Sequence, residues 1–285
     1  MILTDNALVM PVKVSQRLDM YFGQRLNWLP MQTGGTRHNL FLANSDNQCW
    51  VARVAPNRPL PPGVDPEREA KVLAEISGIR GALRPVLIDP DAGLLLMPYL
   101  GKALDSDSIT TEIISKIILF INRLHKVTNA PSINYPALFT RYRNHFSRSA
   151  PGMAQLVDET EGILNELPDI GLSLVHHDLH CGNWLWDSQL HLIDWEYAGQ
   201  GNPWLDYAAL VRDFGLNLEQ LRSFDRLALL NDRALGSGLA KAIQLVDQLE
   251  NIWQHYVALA QPDEQPTTLS EGEFLCPEPR RCLNN

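Results

Sequence analysis

Residues 176–183, with the sequence HHDLHCGN, carry polar side chains at a spacing that suits phosphoryl transfer. They fit the pattern H-x-D-L-x-x-x-N, and Asp194 follows eleven residues after Asn183. An aspartate at position 178 can orient an acceptor hydroxyl and take its proton, and the side-chain oxygens of Asn183 and Asp194 are ligands that Mg²⁺ prefers. The pattern therefore predicts Asp178 as the catalytic residue and Asn183 and Asp194 as metal ligands.

The alternative is a purely structural role for the same residues. His176 would be a core histidine, Asp178 a helix cap and Asn183 a turn residue, and the placement of Asp194 would need a separate explanation. Two apolar runs between Asn183 and Asp194, separated by a short polar turn, predict a β-hairpin that brings these two residues together. We therefore favour the chemical interpretation.

The N-terminal third of the chain is predicted to be a small α+β unit. Apolar runs at 39–43 and 49–54, joined by a polar turn, predict a β-hairpin, and the short runs at 86–88 and 94–97 predict a second pair of strands. An Asp-Pro pair before residues 67–76 predicts the start of a helix, because aspartate caps helices and proline favours the first helical position.

In the rest of the chain the apolar residues recur at helical spacing. This spacing predicts a long core helix over 109–127 and further helices over 138–166 and 204–260. The tail that follows is rich in Pro, Glu and Thr and is predicted to be loosely ordered. We therefore predict an α+β fold of two lobes, with an N-lobe over 1–98 and a helical C-lobe over 99–285.

Composition and charge limit the classes of partner. The formal net charge of −9 disfavours a nucleic-acid backbone and weakly favours a small cationic substrate. No apolar window is long enough for a spanning helix, and the N-terminal residues lack the pattern of a signal peptide. The four cysteines are scattered, which is typical of free thiols in a reducing compartment. We expect a cytoplasmic protein with a small-molecule partner and no nucleic-acid or membrane partner, and the sequence indicates no oligomeric state.

Two segments resemble one family of kinases. Residues 175–187 resemble the catalytic loop of the aminoglycoside phosphotransferase and choline kinase superfamily, and residues 192–199, LIDWEYAG, resemble a segment of its choline, ethanolamine and bacterial thiamine kinase branch. The resemblance extends to about residue 260. It implies a protein-kinase-like fold, with a small β-sheet N-lobe that includes one helix and a larger helical C-lobe, and it implies ATP and Mg²⁺ as cofactors.

The resemblance also implies which N-lobe residues bind the nucleotide. They are Gly34, Gly35 and Thr36 of a glycine-rich turn, Arg53 as a cation for the phosphates, Glu69 as the ion-pair partner of that arginine, and Met97 and Tyr99 of a hinge beside adenine. Arginine stands at position 53 where such kinases usually have lysine, and the two cations are not equivalent. The alternative role of the glycine-rich turn is that of an ordinary hairpin turn. The alternative for Glu69 is an exposed helical glutamate, and the alternative for the hinge side chains is simple packing.

Two further positions are implied to support the catalytic loop. Asp206, in the run LDYAA, matches a family aspartate that braces this loop, and His176 is its first residue. Eleven residues separate Asp194 from Asp206, too few for the activation segment with which a protein kinase presents a peptide. The acceptor is therefore expected to be a small molecule.

The residues after Asp194 suggest the acceptor. Choline and thiamine each carry a primary alcohol near a permanent cation, and such a cation is bound by carboxylates and aromatic faces. Trp195, Glu196 and Tyr197 are the predicted substrate residues. The resemblance implies an ATP-dependent kinase of a small alcohol, with thiamine first, choline or ethanolamine second and an aminoglycoside or sugar third. The non-enzyme alternative is a nucleotide-binding pseudokinase scaffold. The presence of Asp178, Asn183 and Asp194 disfavours this alternative.

Overall fold

The computed structural model describes residues 8–31, 38–56 and 59–260, and these form two compact units. The first unit contains the described residues up to Pro59 together with Pro85–Tyr99. The second contains Leu60–Arg84 and the described residues from Leu100 to Ala260. The predicted α+β class is confirmed. The tail beyond residue 260, which we predicted to be loosely ordered, lies outside the described residues.

The first unit is an antiparallel sheet with one helix. Its elements are α1 (Val12–Phe22), β1 (Leu29–Met31), β2 (Asn39–Ser45), β3 (Gln48–Val54), β4 (Leu87–Asp89) and β5 (Leu94–Pro98). The strand order is β1-β2-β3-β5-β4, and both predicted strand pairs are present. Asp46 and Asn47 join β2 to β3 with φ values of 52° and 61°. Asp and Asn tolerate this left-handed conformation, which a tight hairpin turn requires.

The core of the first unit lies between α1 and the sheet. Val14 and Leu18 of α1 pack with Phe41 of β2, Ala52 of β3 and Leu96 of β5, and all five are almost completely buried. In β2 the buried residues alternate with more exposed neighbours, whereas β5 is buried along most of its length. The alternation in β2 is the period expected of a strand with one buried face.

The second unit is mainly helical. Its helices are α2 (Pro66–Glu75), α3 (Thr111–Leu124), α4 (Tyr135–Phe146), α5 (Pro151–Asn165), α6 (Trp204–Phe214), α7 (Leu218–Leu221) and α8 (Asp232–Ala260). Its short strands are β6 (Lys102–Ala103), β7 (Ser173–Val175), β8 (Trp184–Trp186), β9 (Leu190–Leu192) and β10 (Gly199–Gly201), paired as β6-β8-β9 and β7-β10. The predicted helical regions are confirmed, and no described helix is long and apolar enough to cross a membrane.

Helix α2 is part of the helical unit, although the sequence placed it with the N-terminal strands. The predicted cap is present, since the Asp65 carboxylate accepts the N–H of Arg68 at 3.1 Å. The Arg68 guanidinium donates to the carbonyl oxygen of Ala198 at 2.9 Å and to that of Glu196 at 3.3 Å, and it also contacts the Gly63 carbonyl. The contacts with Glu196 and Ala198, about 130 residues away in sequence, tie α2 to the segment after Asp194.

Candidate active site

The predicted catalytic loop runs from the end of β7 to the start of β8 and is braced by Asp206. This residue lies in the first turn of α6 and is completely buried. Its carboxylate accepts the N–H of His176 at 3.0 Å and that of His177 at 2.9 Å, and it lies 3.0 Å from Nε2 of His125. Burial raises the pKa of Asp206, but the hydrogen bond and charge of His125 outweigh it and the pKa is lowered. Asp206 is therefore an ionised acceptor that fixes two successive loop residues.

His176 connects the loop to the segment before Asp194. Its Nδ1 accepts the N–H of Asp178 at 3.3 Å, so the ring proton is on Nε2, which donates to the Ile193 carbonyl at 2.9 Å. Burial lowers the pKa of His176, which keeps the ring neutral. The imidazole also packs edge-to-face on Trp195, with ring centroids 4.7 Å apart. His176 thus supports the loop through both of its nitrogens.

Asp178 and Asn183 are in direct contact. The Asn183 amide nitrogen donates to Oδ2 of Asp178 and to the Asp178 carbonyl oxygen, each at 2.9 Å. His180 approaches the same carboxylate oxygen, with Nε2 at 3.6 Å. Burial raises the pKa of Asp178, but its contacts with His180, His176 and Asn183 outweigh this effect and lower the pKa. Asp178 is therefore ionised at neutral pH and can accept a proton.

The hairpin between Asn183 and Asp194 forms as predicted. Trp184 of β8 pairs with Leu192 of β9, and the N–H of Ile193 donates to the Asn183 carbonyl at 3.0 Å. Asp194 follows at once, with a φ of 64°, a left-handed conformation that is unfavourable for a residue with a Cβ. Conformations of this kind concentrate at functional sites.

The donor set of Asn183 and Asp194 fits Mg²⁺. The Asn183 amide nitrogen is used in its bonds to Asp178, so the amide oxygen is the atom that can act as a ligand. Asp194 offers a carboxylate, and one of its oxygens lies within 4.8 Å of a carboxylate oxygen of Glu196. Hard oxygen ligands of this kind are those that Mg²⁺ selects.

The three predicted substrate residues have different environments. Trp195 is completely buried, and its indole N–H donates to the Leu192 carbonyl at 3.1 Å. It therefore supports the core beneath the loop, and the structure gives it no surface for a substrate. Glu196 is 8 % exposed. The Tyr197 hydroxyl accepts the indole N–H of Trp253 from α8 at 3.1 Å, which fixes this ring beside the segment.

The predicted nucleotide-binding residues lie in both units. Gly34, Gly35 and Thr36 lie outside the described residues. Arg53 lies on β3 opposite Leu95, and Met97 lies on β5 opposite Val51 and is 7 % exposed. The N–H of Tyr99 donates to the Cys49 carbonyl at 2.8 Å. Glu69, in α2 of the other unit, is 6 % exposed, so it is not the ordinary exposed glutamate of the alternative interpretation. Its ion pair with Arg53 stays a prediction.

Comparison with known proteins identifies the family. A model described as the phosphotransferase enzyme family matches residues 32–239, well over half of the chain. The chain belongs to this family. The Protein LicA of Haemophilus influenzae is 25 % identical over 198 residues, which are 65 % of this chain and 58 % of that protein. This chain therefore spans less than two thirds of the length of that relative.

Solved structures of three other proteins share the fold. The choline kinase LicA from Streptococcus pneumoniae has a TM-score of 0.65 at 19 % identity, covering 89 % of this chain and 92 % of that one. The ethanolamine kinase of Plasmodium vivax has a TM-score of 0.62 at 14 % identity, covering 90 % and 85 %. A spectinomycin phosphotransferase with ADP and spectinomycin has a TM-score of 0.61 at 14 % identity, covering 91 % of each chain. The predicted superfamily and kinase-like fold are confirmed.

The sequence analysis missed four residues around the loop. They are His125 beside Asp206, His180 beside Asp178, Tyr135 beside His177, and Arg68 at the segment after Asp194. His180 lies inside the motif, and its position two residues after Asp178 was a usable signal. The other three reach the site through contacts 42 to 130 residues apart in sequence, which local spacing does not reveal.

Proposed function

We propose that the protein transfers the γ-phosphoryl group of ATP to a hydroxyl of a small alcohol, with Mg²⁺ as the metal cofactor. The observation that carries the proposal is the contact of Asp178 with Asn183 at 2.9 Å, in a loop whose backbone is held by the buried Asp206. An ionised aspartate beside a potential metal ligand is the arrangement that phosphoryl transfer uses.

Asp178 has the acceptor-side role in this reaction. Asn183 and His180 both approach Oδ2, so among the described residues Oδ1 remains for the acceptor hydroxyl. The hydroxyl oxygen forms a bond to the γ-phosphorus, the bond between that phosphorus and the bridging oxygen of ADP breaks, and the hydroxyl proton passes to Asp178. The lowered pKa of Asp178 keeps the carboxylate ready to orient the hydroxyl.

The proposed binding of Mg²⁺ and of the nucleotide is assigned to the residues predicted from the sequence. Asn183, through its amide oxygen, and Asp194 would hold Mg²⁺, which supplies positive charge against the nucleotide phosphates. On the nucleotide side, Gly34, Gly35, Thr36, Arg53, Glu69, Met97 and Tyr99 keep the roles that the resemblance implied. Two proteins of similar fold were solved with AMP and with ADP, which supports the proposal that this chain binds a nucleotide.

We propose a small cationic alcohol as the acceptor and place choline and ethanolamine before thiamine. This order differs from the sequence-based one because two of the similar structures named above are a choline kinase and an ethanolamine kinase. Glu196 supplies a carboxylate beside Asp194, and Tyr197 supplies an aromatic ring fixed by Trp253. Such a pair of groups suits an ammonium ion.

A phosphorylation assay with a panel of acceptors tests this proposal. The purified protein is incubated with Mg-ATP and separately with choline, ethanolamine, thiamine, a sugar and an aminoglycoside, and the products are identified by ³¹P NMR. The expected result is a phosphate monoester of choline or ethanolamine, with ADP formed in equal amount. A phosphate ester of thiamine alone would restore the sequence-based order. Mg-ATP binding without transfer to any alcohol would favour the pseudokinase scaffold.

A further inference from the structure

His177, immediately before the catalytic aspartate, has an unusual backbone conformation. Its φ is 69°, in the left-handed region that a Cβ disfavours. Its N–H is held by Asp206 at 2.9 Å, and its side chain is held separately, because Nε2 lies 2.9 Å from the hydroxyl of Tyr135. The Tyr135 and His177 rings also pack together, with centroids 5.7 Å apart. Contacts on both sides therefore fix this residue.

The direction of the hydrogen bonds follows from the donors available. The backbone N–H of Asn202 donates to the Tyr135 hydroxyl at 2.9 Å. The hydroxyl therefore accepts from Asn202, and its single proton is available for His177. Nε2 of His177 is the acceptor that this proton reaches among the described residues, and this arrangement places the ring proton on Nδ1. Burial lowers the pKa of His177 to about 4 and raises that of Tyr135, so both groups are in the protonation states that this arrangement needs.

We propose that Tyr135 is a positioning residue of the catalytic loop, whose hydroxyl holds His177 in the left-handed conformation and so sets the direction of Asp178. The proposal rests on the proposed role of Asp178 as the acceptor-side base. Tyr135 begins α4 and Asn202 follows β10, so one hydroxyl joins three segments at the residue next to the reacting carboxylate. A glycine at position 177 would reach the same φ without a partner, but with more freedom in the loop.

A double-mutant cycle separates this role from simple packing. Tyr135→Phe removes one hydroxyl, and His177→Gly removes both the side chain and the unfavourable Cβ. We expect Y135F to lower kcat by about fivefold to tenfold, the effect of losing one buried hydrogen bond, with KM for ATP changed less than about twofold. In the H177G background, Y135F should change kcat by less than about twofold. Tyr21→Phe, an exposed hydroxyl deletion on α1, is the matched control.

Two outcomes of the cycle would overturn the proposal. An equal fall in kcat in both backgrounds would show that Tyr135 acts through Asn202 or through the general packing. An unchanged kcat in Y135F would show that the hydroxyl positions nothing. Because the unsatisfied N–H of Asn202 affects both backgrounds equally, the difference between them reports on His177 alone.

An activity-independent measurement tests the contact itself. In protein labelled with ¹⁵N-histidine, the imidazole of His177 should show the neutral Nδ1–H tautomer at pH 7, and the signal is assigned by its absence in H177G. Y135F should change its tautomer ratio. An active enzyme with the Nε2–H tautomer would overturn the positioning role alone. A protein with the expected tautomer that transfers phosphate to no acceptor would overturn the proposed function, and with it the catalytic purpose of the contact.

Discussion

Asp206 is expected to carry an unusually large share of the stability of the second unit. Its completely buried carboxylate accepts hydrogen bonds from the backbone of His176 and His177 and contacts His125 at 3.0 Å. Asp206→Ala would leave two buried N–H groups and one histidine without this partner. We therefore expect the substitution to lower the free energy of unfolding by about 3–5 kcal/mol, a large part of the total for a protein of this size.

The isosteric variant should have a smaller effect. Asp206→Asn keeps one acceptor oxygen but loses the charge, and a hydrogen bond to a charged group contributes about 1.5–3 kcal/mol. We expect a loss of about 2 kcal/mol, and a lower kcat in both variants because the backbone before Asp178 is less fixed. Asp206→Asn also keeps the test informative if the alanine variant does not fold.

Urea denaturation followed by tryptophan fluorescence, with kcat measured on the same samples, checks these values. The control is Asp158→Asn on α5, which breaks an exposed ion pair with Arg143 and should cost less than about 1 kcal/mol. If Asp206→Ala unfolded at the same urea concentration as this control and kept its activity, the loop would be held by other contacts and the reasoning would be refuted.

Two other predictions concern His177 and Arg68. Because His177 binds its proton less readily in the folded protein, with a pKa of about 4, than in the unfolded chain, stability should fall as the pH is lowered from about 6.5 to about 4, by up to about 3 kcal/mol. His177→Asn tolerates the left-handed conformation and cannot titrate, so it should show a shallower pH dependence in urea melts; an identical slope would contradict the neutral state. Arg68→Lys replaces the planar guanidinium, which binds the carbonyls of both Glu196 and Ala198 through separate N–H groups, with a single ammonium group, so it should lose about 2 kcal/mol of stability and raise KM for the acceptor more than KM for ATP. Equal effects on both KM values would argue against an acceptor-side role.

The sequence was sufficient for features encoded by neighbouring residues. The β2–β3 hairpin follows from two apolar runs around a turn that Asp46 and Asn47 can form, and the start of α2 follows from Asp65 and Pro66. The loop with Asp178 and Asn183 could be singled out for the same reason, since its residues lie close together along the chain, and its catalytic role stays a prediction.

Long-range contacts explain what the sequence could not predict. Trp195 stands between Asp194 and Glu196 and resembles a substrate residue, but its burial depends on packing against His176 and Phe120. The place of α2 depends on the hydrogen bonds of Arg68 to a segment about 130 residues away. Such contacts form only when the chain folds, and the periodicity of a single sequence does not predict them.

The role of Asp178 is the central claim, and Asp178→Asn tests it most directly. Asparagine keeps an oxygen for the Asn183 amide but cannot accept the acceptor proton, so the contact can survive while the chemistry fails. With the acceptor found in the panel, we expect kcat to fall by about 10²- to 10⁴-fold while the Kd for Mg-ATP, measured by calorimetry, stays nearly unchanged. A variant that transfers phosphate at the wild-type rate would contradict the account.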